Sequence, residues 1–134
     1  MIYIAADHAG FELKERLKRE LPILEDLGAF SYEEQDDYPD FANKLALKIE
    51  RGDLGILICR TGIGMSIAAN RHSHIRAAVC SSPKNAKLAR EHNNANILCL
   101  GAYVFRARKI VSTFLETKFS AEERHLRRLG KLRV

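Results

Sequence analysis

Five times along the chain a short aliphatic run gives way to a longer amphipathic stretch, and this alternation narrows the choice of fold more than any single motif. The runs are Ile2–Ala6, Ile23–Leu27, Leu54–Cys59, Ile75–Cys80 and Ile97–Leu100. Each is short enough for a strand and too short for an ordinary helix. Leu54–Cys59 (LGILIC) is the clearest: a continuous apolar run of this kind suits a strand covered on both faces. The stretches between them predict helices at about Phe11–Leu21, Asp40–Glu50, Gly64–Asn70, Pro83–Glu91 and Val104–Phe119. Leu13, Leu17 and Leu21 share one face of the first, and Pro39 and Pro83 are placed to open the second and fourth.

Strand and helix alternating in this way predict a three-layer α/β/α, Rossmann-like domain around a five-stranded parallel sheet. With 134 residues, 46% of them hydrophobic, the chain can bury a core as one domain, 1–134, without staples. A bilayer span needs about 18 successive apolar residues, and none occurs, so a membrane role is not expected. Asp7 and His8 come before any basic segment or long apolar segment, which argues against a leader. The three cysteines, Cys59, Cys80 and Cys99, are odd in number and lie in apolar runs, as reduced thiols of a cytoplasmic protein do. No CxxC or HxxxH spacing suggests a metal, and His72-Ser73-His74 is too close-set for one.

Charge is unevenly distributed. Residues 106–134 carry nine Lys/Arg against three Glu, whereas residues 1–105 are close to neutral. A basic tail of this kind is a solvated helix, a nucleic-acid arm or a set of arginines for one small anion. The tail lacks interleaved aromatic residues, which disfavours nucleic acid. Ser120-Ala-Glu-Glu123 has the spacing of a capping box at its start.

In parallel sheets ligands bind beyond the carboxyl ends of the strands, and that rule ranks the polar residues. Asp7 and His8 leave the first strand; they suit sugar hydroxyls or proton transfer, or Asp7 simply caps the first helix. Cys59-Arg60-Thr61-Gly62-Ile63-Gly64 leaves the third strand and enters a helix. Glycines at such a junction let backbone N–H groups converge on an anion, and a thiol beside those donors is a nucleophile or base. The alternative is a small buried hydrophobe at a strand end. Three familiar anion loops are excluded: Met65 stands where a Cys-x5-Arg phosphatase loop needs arginine, Gly-Lys-Ser/Thr is absent, and Ile67 replaces the third glycine of a dinucleotide fingerprint. His92 and Asn93 precede the fifth strand, at the opposite edge of the sheet. Either His92 is a surface histidine at a helix end or a second copy of the chain brings it to the Cys59 loop. His72, His74 and His125 read as exposed, Cys80 and Cys99 as core.

Several motifs together resemble ribose-5-phosphate isomerase type B, in a wider family that includes the galactose-6-phosphate isomerase subunits. They are AADHAGFELK, DYPDFA, ILICRTGIGMSIAANR, IRAAVC, AREHNNANILCLG and a C-terminal Arg-His-x-x-Arg. The resemblance spans nearly the whole chain. It implies aldose–ketose isomerisation of D-ribose 5-phosphate and D-ribulose 5-phosphate through an enediolate, in the pentose phosphate pathway, without metal or organic cofactor. It implies Cys59 as the base at C2, Thr61 to Gly64 as the anion hole, His92 as the residue opening the furanose ring and Asn93 as its neighbouring ligand. Asp7 and His8 would contact the sugar, and Arg124 and Arg128 would hold the phosphate. It also implies a homodimer, or a tetramer built from it, in which the tail from about residue 120 completes the partner's site. Arg60, beside the base, stands where the family usually has glycine and either crowds the site or adds a further anion contact. Tyr103 replaces a frequent arginine, with Arg106 and Arg108 as the nearest substitutes, and Glu122-Glu123 replace Gly-Gly. Retention of Cys59 argues against the galactose-6-phosphate subunits. The alternatives are an isomerase of a six-carbon sugar phosphate of the allose 6-phosphate type and a sugar-phosphate-binding protein without turnover.

Overall fold

The computed structural model describes residues 1–132. Five strands, β1 (Ile2–Ala6), β2 (Glu25–Asp26), β3 (Leu54–Cys59), β4 (Ala77–Val79) and β5 (Ile97–Gly101), form one sheet in the order β2-β1-β3-β5-β4. Every neighbouring pair is parallel. Six helices accompany it: α1 (Phe11–Glu20), α2 (Tyr38–Lys48), α3 (Ile63–Ala69), α4 (Pro83–Asn93), α5 (Ala107–Glu116) and α6 (Glu123–Gly130). This is the three-layer, Rossmann-like α/β fold expected.

Strand periodicity sorts the core into two layers. Ile4, Ala6, Ile56, Ile58, Leu98 and Leu100 pack on one face with Leu13 and Leu17 of α1, Ala86 of α4 and Ile110, Val111 and Phe114 of α5. Ala5, Leu57, Cys59, Ile97 and Cys99 face the other way, onto Ala42, Leu45 and Ala46 of α2 and Met65 and Ala69 of α3. Fully burying each Ile or Leu contributes about 1.5–3 kcal/mol, so the central strands β1, β3 and β5 are the rigid platform. Lys14, fully buried, is paired to Asp26 at 2.7 Å and Glu15 at 3.1 Å, which ties α1 to β2 without leaving an unpaired charge. No helix among the described residues is long and apolar enough to cross a membrane.

Element ends differ from the sequence reading where local chemistry intervenes. Of the expected Ile23–Leu27 strand only Glu25–Asp26 is assigned; it follows Pro22, which has no N–H to donate, and Ile23 stays exposed. The last long helix is shorter, because Arg106 takes a left-handed φ of 62° and Thr117 is extended. Ser120 caps nothing: Glu122 is the N-cap of α6, and the Ser120 hydroxyl donates to the Glu91 carbonyl at the end of α4. The tail is thereby attached to α4.

Candidate active site

The sheet order reverses direction between β1 and β3. The chain leaves β1 to reach β2 on one side and returns to β3 on the other, which opens a crevice at their carboxyl ends. Two expected segments meet there. Ala6 pairs with Ile58 in the β1–β3 register, and the next residue, Asp7, donates its N–H to the Ile58 carbonyl at 3.3 Å. Asp7 therefore follows its strand beside Cys59. Gly10, at the start of α1, makes the close approach possible: a Cβ there would lie 2.6 Å from the Ile58 oxygen. The Asp7 carboxylate accepts the Gly10 N–H at 3.1 Å, so the carboxylate turns back on its own loop. Burial pushes the Asp7 carboxyl up, against the Gly10 N–H, which favours the charged form.

Cys59 closes β3 and is buried. The Gly62 N–H donates to its Sγ at 3.1 Å, a bond made possible by the left-handed turn at Gly62, φ 81°. Gly62 also packs on the backbone of β5, since a Cβ would meet the Leu100 carbonyl carbon at 3.0 Å. The Thr61 hydroxyl oxygen accepts the Ile63 N–H at 3.2 Å, which leaves its proton for an acceptor in the crevice. Arg60, Thr61 and Ile63 are exposed and Gly64 partly so. The Arg60 carbonyl accepts the Ala102 N–H, which binds this loop to the one after β5.

Two residues beside these were missed from the sequence. Asp36 Oδ1 accepts both the backbone N–H of His8, at 2.9 Å, and its ring Nδ1, at 2.7 Å. The Tyr38 ring lies against Gly64, where a Cβ would meet it at 2.6 Å. Asp36 was hidden in an acidic loop that reads as solvated, 28 residues from its partner. The DYPDFA stretch was the signal for Tyr38. Asp7, His8 and Asp36 offer donor atoms within 4.8 Å of one another, as a metal site would require. Asp7 Oδ1, His8 Nδ1 and Asp36 Oδ1 already serve internal hydrogen bonds, so a cation at those atoms would have to displace them.

His92, Asn93, Arg124 and Arg128 are not brought to the crevice. The helix α4 starts after β4 at the carboxyl edge and ends before β5 at the amino edge, which puts His92 and Asn93 at its far end. There His92 stacks on His125 of α6, ring centroids 4.4 Å apart and planes 18° from parallel. The expectation that His125 is solvated is corrected: it is buried, because its aromatic ring rather than its charge faces α4. Burial holds its pKa below the usual histidine range, with His92 and Arg124 adding to the effect. Arg124 and Arg128, one turn apart, are exposed. Glu122 holds the Arg124 Nε at 3.1 Å and approaches the His125 Nε2 at 3.6 Å. His72 bonds Asn43 and His74 bonds the Ala46 carbonyl, which gives both structural partners. Cys80 and Cys99 are buried as expected, and all three thiols are free.

This arrangement is similar to known proteins over almost its whole length. Residues 2–132 match the model of the Ribose/Galactose Isomerase family. The chain belongs to the ribose/galactose isomerase family. It is 45% identical to a probable ribose-5-phosphate isomerase B of Mycoplasma genitalium, covering 98% of this chain and 92% of that one. Among solved structures in this family, the ribose 5-phosphate isomerase of Thermotoga maritima is 51% identical, with TM-score 0.88, over 97% of this chain and 94% of that one. The ribose-5-phosphate isomerase B of Mycoplasma genitalium with bound ribulose-5-phosphate is 42% identical, with TM-score 0.91, over 98% of this chain and 92% of that one. Family membership makes this chain an enzyme of the sugar-phosphate isomerase class.

Proposed function

We propose that the chain interconverts D-ribose 5-phosphate and D-ribulose 5-phosphate in a cytoplasmic homodimer, each site shared between two copies. The observation that carries this reading is the Cys59 sulfur at the β1–β3 crevice, bonded by the Gly62 N–H and with Asp7 leaving the neighbouring strand beside it, in a chain whose relatives include an isomerase holding ribulose-5-phosphate.

In this mechanism His92 of a second copy moves the proton that opens the furanose ring, with Asn93 beside it. Cys59 then takes the C2 proton and returns it to C1, while one proton passes from the C2 hydroxyl to the C1 oxygen. The atoms balance without an oxidant. The Thr61 hydroxyl and the loop to Gly64 hold the enediolate, as preorganised donors do for developing oxyanions. Asp7, His8 and Arg60 contact the sugar phosphate from one copy. Arg124 and Arg128 clamp the phosphate from the other, their forks matching its oxygens. The domain thus spans residues 1–134, with the tail from about residue 120 completing the partner's site.

Two features support the second copy. His92 and Cys59 lie at opposite edges of one sheet, so a single chain does not assemble both. Apolar side chains are also exposed around the Cys59 loop: Ile63 and Ile67, one turn apart on α3, and Tyr103 and Phe105 after β5. An apolar surface of this kind is what an association of copies would cover. The Glu122–Arg124 pair withholds part of the positive charge from the phosphate and bears on affinity rather than on the reaction.

The test is isomerisation of ribose 5-phosphate by wild type and Cys59→Ala, with allose 6-phosphate compared through kcat/KM. General-base catalysis accounts for about 10²–10⁴-fold in rate, and Cys59→Ala is expected to lose about 10³-fold. Full activity in the variant removes Cys59 as base. Binding of ribose 5-phosphate by a wild type that never turns it over replaces the isomerase by a binding protein.

A further inference from the structure

We propose that Asp36 is the positioning residue for His8, one carboxylate oxygen fixing both the backbone and the ring of the histidine that meets the substrate. The inference rests on His8 being a substrate contact, as proposed above, and names what makes it an effective one.

The geometry is specific. Asp36 Oδ1 accepts the His8 backbone N–H at 2.9 Å and His8 Nδ1 at 2.7 Å. The first bond holds the loop after β1 against the loop before α2. The second places a proton on Nδ1, so Nε2 is left for a ligand, as a lone pair in the neutral ring and as a donor in the charged one. The other carboxylate oxygen, Oδ2, is buried and has no hydrogen-bond partner among the described residues. An unsatisfied buried oxygen costs stability, so the position is poorly explained by folding alone. The Tyr32 ring meets the imidazole edge-on, centroids 6.2 Å apart. An oriented imidazolium suits an anionic substrate, since charge-assisted bonds are shorter and stronger than neutral ones.

The carboxylates facing His8 favour the charged ring. Asp36 is foremost, through its hydrogen bond; Asp7 at the end of β1 and Glu34 in the same loop as Asp36 add to it, and only burial opposes them. The sign follows. With its pKa raised, His8 stays an imidazolium to higher pH than an ordinary histidine, and affinity for the sugar phosphate declines as pH rises through that raised value.

The experiment uses Asp36→Asn, which keeps an acceptor of the same shape and removes the charge, and Asp36→Ala, which removes both. Heteronuclear NMR follows the His8 ring nitrogens across pH in each folded protein. The wild type is expected to titrate above the ordinary histidine range and to carry its neutral-form proton on Nδ1. Asp36→Asn should keep that tautomer and titrate lower, and Asp36→Ala should lose both properties. In steady-state assays with ribose 5-phosphate near pH 8, KM should rise about tenfold in Asp36→Asn, as expected for loss of a charged hydrogen bond, with kcat within about threefold. The KM gap between the two proteins should narrow as pH falls and the variant's histidine becomes charged as well. Identical His8 titrations in wild type and Asp36→Asn, or an Nε2-protonated neutral ring in the wild type, overturn the proposal. A wild type inactive on ribose 5-phosphate overturns the functional reading alone, and the ring titration then decides on Asp36 by itself.

Discussion

The crevice between β1 and β3 and the histidine stack between α4 and α6 are built in opposite ways. At the crevice the backbone does the placing: two strand ends in register, a left-handed turn at Gly62 and an N–H aimed at Cys59 Sγ. At the stack side chains do it, with His125 buried against His92 and the chain held by Ser120 on Glu91. Their histidines diverge accordingly. His8 is pushed up by the Asp36 carboxylate, while His125 is pushed down by burial and by His92 beside it. One region gathers negative charge around an imidazole, and the other removes water from one. Neither contains a complete acid–base set for opening and isomerising a sugar, and the sheet holds them apart. The reading that unites them is a pair of copies, each lending one edge to the other.

The sharpest attempt to break that reading mixes two inactive variants. On that reading, Cys59→Ala and His92→Ala dimers would each lack one group the reaction needs in both sites. If each site draws Cys59 from one copy and His92 from the other, a mixed dimer regains one intact site. Random mixing should then restore about a quarter of wild-type activity, half the dimers being mixed with one of two sites intact. Activity that stays at the level of the separate variants would show that the two regions work within one chain or not at all.

A smaller effect sharpens the claim that backbone builds the crevice. Gly62→Ala puts a Cβ on a left-handed residue and within 3.0 Å of the Leu100 carbonyl carbon. It should cost about 1–3 kcal/mol in denaturant unfolding. Because the N–H to Cys59 moves with the turn, it should also lower kcat/KM about 10–100-fold. A variant as stable and active as wild type would mean the loop is not held by its backbone.

The smallest effect belongs to the stack. His125 is harder to protonate folded than unfolded, so its contribution to stability is complete above the unfolded value of about 6.5 and is lost as pH falls below it. Thermal unfolding at pH 7.5 and 5.5 should show a larger drop in Tm for wild type than for His125→Gln. Equal drops would mean that the buried ring accepts its proton as readily as an exposed one.

Most of the crevice was legible because it is local. A strand end, two glycines and a helix start lie within a few residues, and the parallel arrangement follows from the alternation, so Cys59, Thr61 and Gly62 were found by position. Asp36 was not, because its partner lies 28 residues away and the loop that carries Asp36 has no periodicity to read. His125 was misplaced for a related reason: among Arg124, Arg127 and Arg128 its neighbours in sequence are solvated, whereas its neighbour in space is an imidazole. The tail's capping box failed similarly, since the Ser120 hydroxyl donates to the Glu91 carbonyl instead of accepting an N–H of the following helix.

The sequence by itself determined the parallel α/β architecture, the strand end that carries the thiol and the place of His92 at the opposite edge of the sheet. All of these depend on periodicity and chain reversals within a few residues, which short-range sterics and hydrophobic burial enforce. Only the tertiary structure decided that Asp36 grips His8 and that His125 is buried beneath His92. Those facts depend on contacts closed across loops and helices, where one hydrogen bond or one buried ring outweighs the local preference of the residues that make it.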